Sequence, residues 1–86
     1  MNGGSGSGYG TIGQRLRAAR IKAGLSQGDV EALSGIPKAR ISRYEHDHVE
    51  PSIGSLVKLC IAVGEPPSTI IDNDYQQALG AAAPRV

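Results

Sequence analysis

Lys38, Arg40 and Arg43 place three cations within six positions of SGIPKARISRYE, residues 34–45. Cations at this density, among small and hydroxyl side chains, suit one task well: hydrogen-bonding to and neutralising a polyanion. On a helical wheel with Lys38 at 0°, Ala39, Ser42, Arg43 and His46 fall within roughly 140°. Ile41 and Tyr44 point to the other side, with Glu45 beside them. One face is therefore docked, and the other presents Lys38, Ala39, Ser42 and Arg43. Such a face fits the major groove of duplex DNA, where Arg or Lys reaches guanine O6/N7 and Ala meets a thymine methyl. Arg40, on the flank, reaches a phosphate more easily. The competing reading is a solvated charged face with no partner, and composition alone does not separate the two.

The whole chain argues for a small domain that carries such a face. Eighty-six residues allow one modest core. Phe and Trp are absent, so that core is aliphatic. A single cysteine, Cys60, excludes an internal disulfide and any need for an oxidising compartment. No apolar run approaches a membrane span, and LCIAV over 59–63 is too short even for a signal-peptide core. A soluble cytoplasmic domain is the expectation. The formal charge of +1 conceals an asymmetry. From Thr11 to Tyr44 there are seven Lys/Arg against two Asp/Glu, and from Glu45 to Val86 two against six. A basic front half is the electrostatic footprint of a polyanion partner.

Periodicity and caps predict the elements. Residues 1–10, MNGGSGSGYG, read as a flexible linker or cloning remnant. TIGQ, residues 11–14, fits a capping box, and the helix after it carries Ile12, Leu16, Ala19 and Ala23 within roughly 60° of each other. Arg20 lies at the edge of that stripe, while Arg15, Arg17 and Lys22 point away. Gly24 ends the helix. Ser26 caps a second helix, with Asp29 in its first turn and Val30 and Leu33 as its apolar contacts. SGI, residues 34–36, breaks it after about two turns, and Pro37 is suited to the first position of a third helix that runs to about Glu45. After a loop, HDHVEP, Ser52 caps a fourth helix with Ile53, Leu56, Leu59, Cys60 and Val63 on one face, ended by Gly64. A last helical turn starts near Pro67, and the tail from 73 to 86 is weakly patterned; nothing is inferred for Tyr9 or Tyr75. Strand-like alternation is absent. The expected fold is all-α with five short helices.

Two short helices joined by a tight glycine turn form a helix-turn-helix unit. GLSQGDVEALSGIPKARISRYE and PSIGSLVKLCIAVG resemble the phage-repressor and Cro (XRE-type) helix-turn-helix family over residues 11–72. Gln27, Val30, Gly35, Ile36, Ile41, the RYE ending and Arg20 match its pattern together, and the combination is what makes the resemblance specific. The resemblance implies a five-helix, lambda-repressor-like DNA-binding domain in which Gln27 grips a phosphate and Lys38, Ala39 and Arg43 face base edges. It implies binding as a homodimer to a pseudo-palindromic operator with half-sites about one helical turn apart. It also pairs Arg20 with Glu45 in a structural salt bridge, at positions where an exposed charge would be wasted. Arg17 and Arg40 are the further expected phosphate contacts.

Two features depart from that family. Glu31 stands where a small Ala is usual, so either the helices part there or Glu31 bends outward to a cation such as Lys38. The loop lacks the usual glycine and basic residues, and Asp47 and Glu50 would repel phosphates.

Other chemistries are weaker. His46, Asp47 and His48 are adjacent in a loop and cannot easily converge on one metal ion. Cys60, on an apolar face, reads as a small buried hydrophobe. No phosphate loop, nucleophile–base pair or carboxylate pair is present, so neither an enzyme nor a cofactor is expected. Three functions follow: a sequence-specific transcriptional regulator acting by operator occupancy; a protein-interaction module such as an antitoxin or coactivator bridge; and the DNA-binding segment of a larger protein. The outward cations favour the first.

Overall fold

The computed structural model describes residues 10–71. Four helices follow one another, α1 (Ile12–Lys22), α2 (Gln27–Ser34), α3 (Lys38–Glu45) and α4 (Ile53–Val63), and a fifth helical segment occupies 67–71. No strand occurs among the described residues. Most of the Gly/Ser stretch, the tail from 73, Tyr9 and Tyr75 lie outside them.

Local chemistry starts the first two helices. Thr11 Oγ1 accepts from the Gln14 backbone N–H at 3.1 Å, and Gln14 Oε1 accepts from that of Thr11 at 2.9 Å. Ser26 and Asp29 repeat the reciprocal pair at the head of α2, at 2.9 and 2.8 Å. The Ser26 backbone N–H, and then its side chain, hold the Asp29 carboxyl below the usual carboxylate range. Gly35 ends α2 at φ 79, a left-handed conformation open to glycine at no steric cost, and its N–H closes on the Glu31 carbonyl at 2.8 Å. Pro37 sits one place earlier than the sequence suggests. It is the N-cap of α3, with ψ 140, and its carbonyl accepts from Arg40 and Ile41. A side chain with no hydrogen-bonding group cannot cap, so α3 begins without a side-chain cap bond.

The core is aliphatic apart from Tyr44 and Cys60: it draws Leu16, Ala19, Val30, Ile41, Leu56, Leu59, Val63 and Ile70 from the helices and Ile36 from the turn between α2 and α3. Burial pushes the Cys60 thiol up, with Glu65 adding to the effect, so it is a packing residue rather than a nucleophile.

Four expectations are corrected here. Arg15 does not point away: it is buried, with Nη1 donating to the Gly10 carbonyl at 2.7 Å and Nε donating to that of Ile70. The 67–71 segment covers that flank of α1 and supplies the acceptor. Ala23 is exposed because α1 has already ended at Lys22. Leu33 is exposed because Val30 alone buries from the eight-residue α2. Ile53 is 76% exposed, as the first residue of α4 lies beyond the reach of the core.

Gly13 joins α1 to the end of α3. A Cβ built there would lie 2.2 Å from the Tyr44 carbonyl oxygen and 2.9 Å from that of Glu45. Asp47, at φ 61, turns its carboxylate back to this junction. Its Oδ2 accepts from Thr11 Oγ1 at 2.6 Å and its Oδ1 from the Gly13 N–H at 3.1 Å. The carboxylate thus caps the positive end of α1, where an anion is favoured.

Candidate nucleic-acid interface

α3 packs against both α1 and α2, and this fixes which of its faces is free. Ile41, Tyr44 and Glu45 are buried; Lys38, Ala39, Arg40 and Arg43 are exposed. Ser42 is half-buried rather than freely presented, because His46 lies over it. His46 Nδ1 is 2.8 Å from the Ser42 carbonyl and 3.4 Å from its hydroxyl. His46 therefore belongs to the same surface, a residue the wheel placed on this face without a role. The His46 and His48 rings lie 5.9 Å apart, and with Asp47 turned to Thr11 the three side chains do not converge.

Among the described residues no ion pair engages Lys38, Arg40, Arg43 or Arg17, so their charges remain available to an outside anion. Glu31 is exposed and forms no such pair with Lys38. A cleft beside α3 brings Ala39, Arg40 and Arg43 opposite Glu50 of the loop and Ser52 and Ser55 at the start of α4. Of the two acidic loop residues, only Glu50 lines it. Asp47 is turned to the head of α1, where its carboxylate accepts from Gly13 and Thr11.

Beneath this surface, Arg20 and Glu45 meet in two bonds. Arg20 Nε donates to Glu45 Oε2 at 2.7 Å and Nη2 to Oε1 at 3.0 Å. The side chains are 13% and 3% exposed, so this is an interior pair. The hydrogen bond to Glu45 raises the Arg20 pKa above its ordinary value, against the lowering effect of burial. Arg20 Nη1 also donates to the Leu25 carbonyl at 2.9 Å, fastening the turn before α2. Gln27 enters the same group: its Nε2 donates to Glu45 Oε1 at 3.1 Å. One carboxylate therefore ties α1, α2 and α3 together. Nothing in residue spacing signals the Gln27–Glu45 link, since the two stand 18 positions apart.

The Helix-turn-helix family HTH_3 matches residues 16–70. An uncharacterized HTH-type transcriptional regulator, y4dL, of Sinorhizobium fredii is 42% identical over 52 residues, which are 60% of this chain and 26% of that protein. The HTH-type transcriptional regulator ImmR of Bacillus subtilis is 37% identical over 49 residues, 57% of this chain and 39% of that protein. The chain thus spans well under half the length of these relatives. Among solved structures, the restriction-modification controller protein C.AhdI of Aeromonas hydrophila superposes with a TM-score of 0.68 and 29% identity, over 76% of this chain and 98% of that one.

Proposed function

This chain belongs to the Helix-turn-helix family, and from that premise we propose that α3 reads an operator through the major groove, with Lys38, Ala39, Ser42 and Arg43 at base edges and Gln27, Arg40 and Arg17 at phosphates. Regulation of transcription is the function its relatives carry in their names. Operator occupancy, non-enzymatic and cytoplasmic, is the form proposed here. The same reading takes residues 11–72 as the DNA-binding unit. No described helix is long and apolar enough to cross a membrane.

The observation that carries the reading is the free face of α3. Its cations are exposed and unpaired among the described residues, on a helix whose opposite face is held by Ile41, Tyr44 and Glu45. A binding-site selection on random duplex DNA tests it. Recovery of no preferred sequence would return the domain to the protein-interaction class. On the selected site, Arg43→Ala is expected to cost about 1–3 kcal/mol and relax preference at one base pair. Equal losses on selected and random DNA would reduce Arg43 to a phosphate contact. Arg17→Ala and Arg40→Ala are expected to weaken all sequences alike and make the salt dependence shallower.

One short recognition helix touches too few bases for useful selectivity, so two copies occupy one pseudo-palindromic site in this reading. At the end of the described domain Ile70 is fully buried, whereas Ile71 is half-buried against the core and keeps part of its side chain for a partner in this reading. A larger apolar surface lies on α4, where Ile53, Val57 and Ile61 are exposed at intervals of four. The order Ile–Val–Ile is symmetric about Val57, so a second copy of α4 running antiparallel would set Val57 against its mate and Ile53 against Ile61. Three aliphatic side chains per copy are fewer than a standard interface of ~800 Å² per partner needs, so the pair is expected to form on DNA rather than in dilute solution. Stoichiometric titration is expected to give two chains per site, and Ile61→Asp to weaken site binding without lowering the thermal midpoint. One chain per site would end the dimer reading.

A further inference from the structure

Gln27 is bonded to a carboxylate that is itself neutralised. We infer that Glu45 is a positioning residue for DNA binding: it holds the Gln27 amide in the conformation that grips a backbone phosphate. The inference rests on the phosphate role proposed for Gln27 above.

Gln27 is half-buried at the first position of α2, and its Nε2 donates to Glu45 Oε1 at 3.1 Å. A free glutamine side chain samples many rotamers, and fixing it on binding opposes affinity. A bond to an ionised acceptor is stronger than a neutral one, so it restricts those rotamers before DNA arrives. The amide nitrogen has two hydrogens, and Glu45 takes one. The second remains for an anion.

A bare carboxylate behind a phosphate contact would repel the phosphate. Arg20 removes that objection, because its Nε and Nη2 bond both Glu45 oxygens and neutralise the pair. Its Nη1 bond to the Leu25 carbonyl also fixes the turn that leads into Ser26 and Gln27. Arg20, Glu45 and Gln27 thus form one mount, with the ion pair inside and the amide at its outer edge. Gln27 gains orientation without the surface gaining negative charge.

A phosphate contact acts on any sequence, so a random-sequence duplex at low salt is a sufficient probe. Gln27→Ala is expected to weaken its binding about fivefold in the parent protein, the scale of one pre-ordered side chain. In a Glu45→Gln background the same change is expected to cost less than twofold, because the orientation is already lost. An equal loss in both backgrounds overturns the positioning role and leaves the DNA reading standing. Absence of binding by the folded parent overturns both. If thermal unfolding shows Glu45→Gln to be unfolded, the Arg20→Met/Glu45→Leu pair serves as the background. A second measurement needs no DNA: one of the two Gln27 Nε2 protons is expected to exchange with water more slowly than those of exposed side-chain amides. Exchange of both at the exposed rate overturns the inference.

Discussion

Arg20→Met and Glu45→Leu are each expected to cost about 3–5 kcal/mol, and the double mutant to recover much of that loss. Removing one partner of an interior pair strands the other charge away from water, whereas replacing both with apolar groups removes the desolvation penalty as well. The pair borders aliphatic side chains, with Leu16, Val30, Ile41 and Leu59 lining the same small void. Methionine and leucine therefore have apolar neighbours to meet. The two single mutants are not equivalent. Glu45 is 3% exposed and Arg20 13%, so Arg20→Met strands the more deeply buried charge and is expected to be the worse of the two. Leu25 and Gln27 soften neither loss fully, because each offers its stranded partner one neutral bond. For a domain of this size, each kcal/mol moves the thermal midpoint by roughly 4–8 °C, so the singles are expected to fall by ~12 °C or more. Two independent surface charges would be worth under about 1 kcal/mol together. Singles that unfold within a degree or two of the parent would exclude a structural role for the bridge.

Gly13→Ala is the second large effect expected, and it comes from backbone rather than charge. The added methyl would lie 2.2 Å from the Tyr44 carbonyl oxygen and 2.6 Å from Asp47 Oδ1. A flexible side chain could swing aside, but the carbonyl belongs to α3 and cannot move without moving the helix. Overpacking of this kind costs typically 1–3 kcal/mol, and a backbone obstruction puts the change at or above about 3 kcal/mol. It also pushes Asp47 off the Gly13 N–H, uncapping the head of α1. Because α3 carries the candidate recognition face, any Gly13→Ala protein that remains folded is expected to bind DNA less well. A thermal scan checks the first effect and a duplex titration the second. A midpoint within a few degrees of the parent would mean that α1 and α3 separate at little cost.

The capping box of α1, Ser26 as the cap of α2, the glycine stop after α2 and the buried Ile41–Tyr44 side of α3 were legible from residue types and spacing, because each depends on contacts within one or two helical turns. Arg15 was not. At helical spacing it lies off the apolar stripe, and only the return of the chain at Ile70 places a carbonyl against its Nε. Ile53 failed in the opposite sense: it shares the periodicity of Leu56 and Cys60, yet nothing in periodicity says how far along a helix the core extends.

By itself, the sequence determined that this is an all-α domain with a cationic face on its third helix, since caps, period and charge are local properties that each helix expresses alone. It also assigned Gln27, through its likeness to a known family, a place beside a phosphate. Only the tertiary structure decided that Gln27 leans on Glu45, that Asp47 bonds the head of α1, and that Gly13 has no room for a methyl. Each of these joins residues 18 to 34 positions apart, or a side chain to a distant backbone carbonyl. The distances between such groups are set by how helices dock, and docking reflects the whole core at once rather than any short stretch of residues.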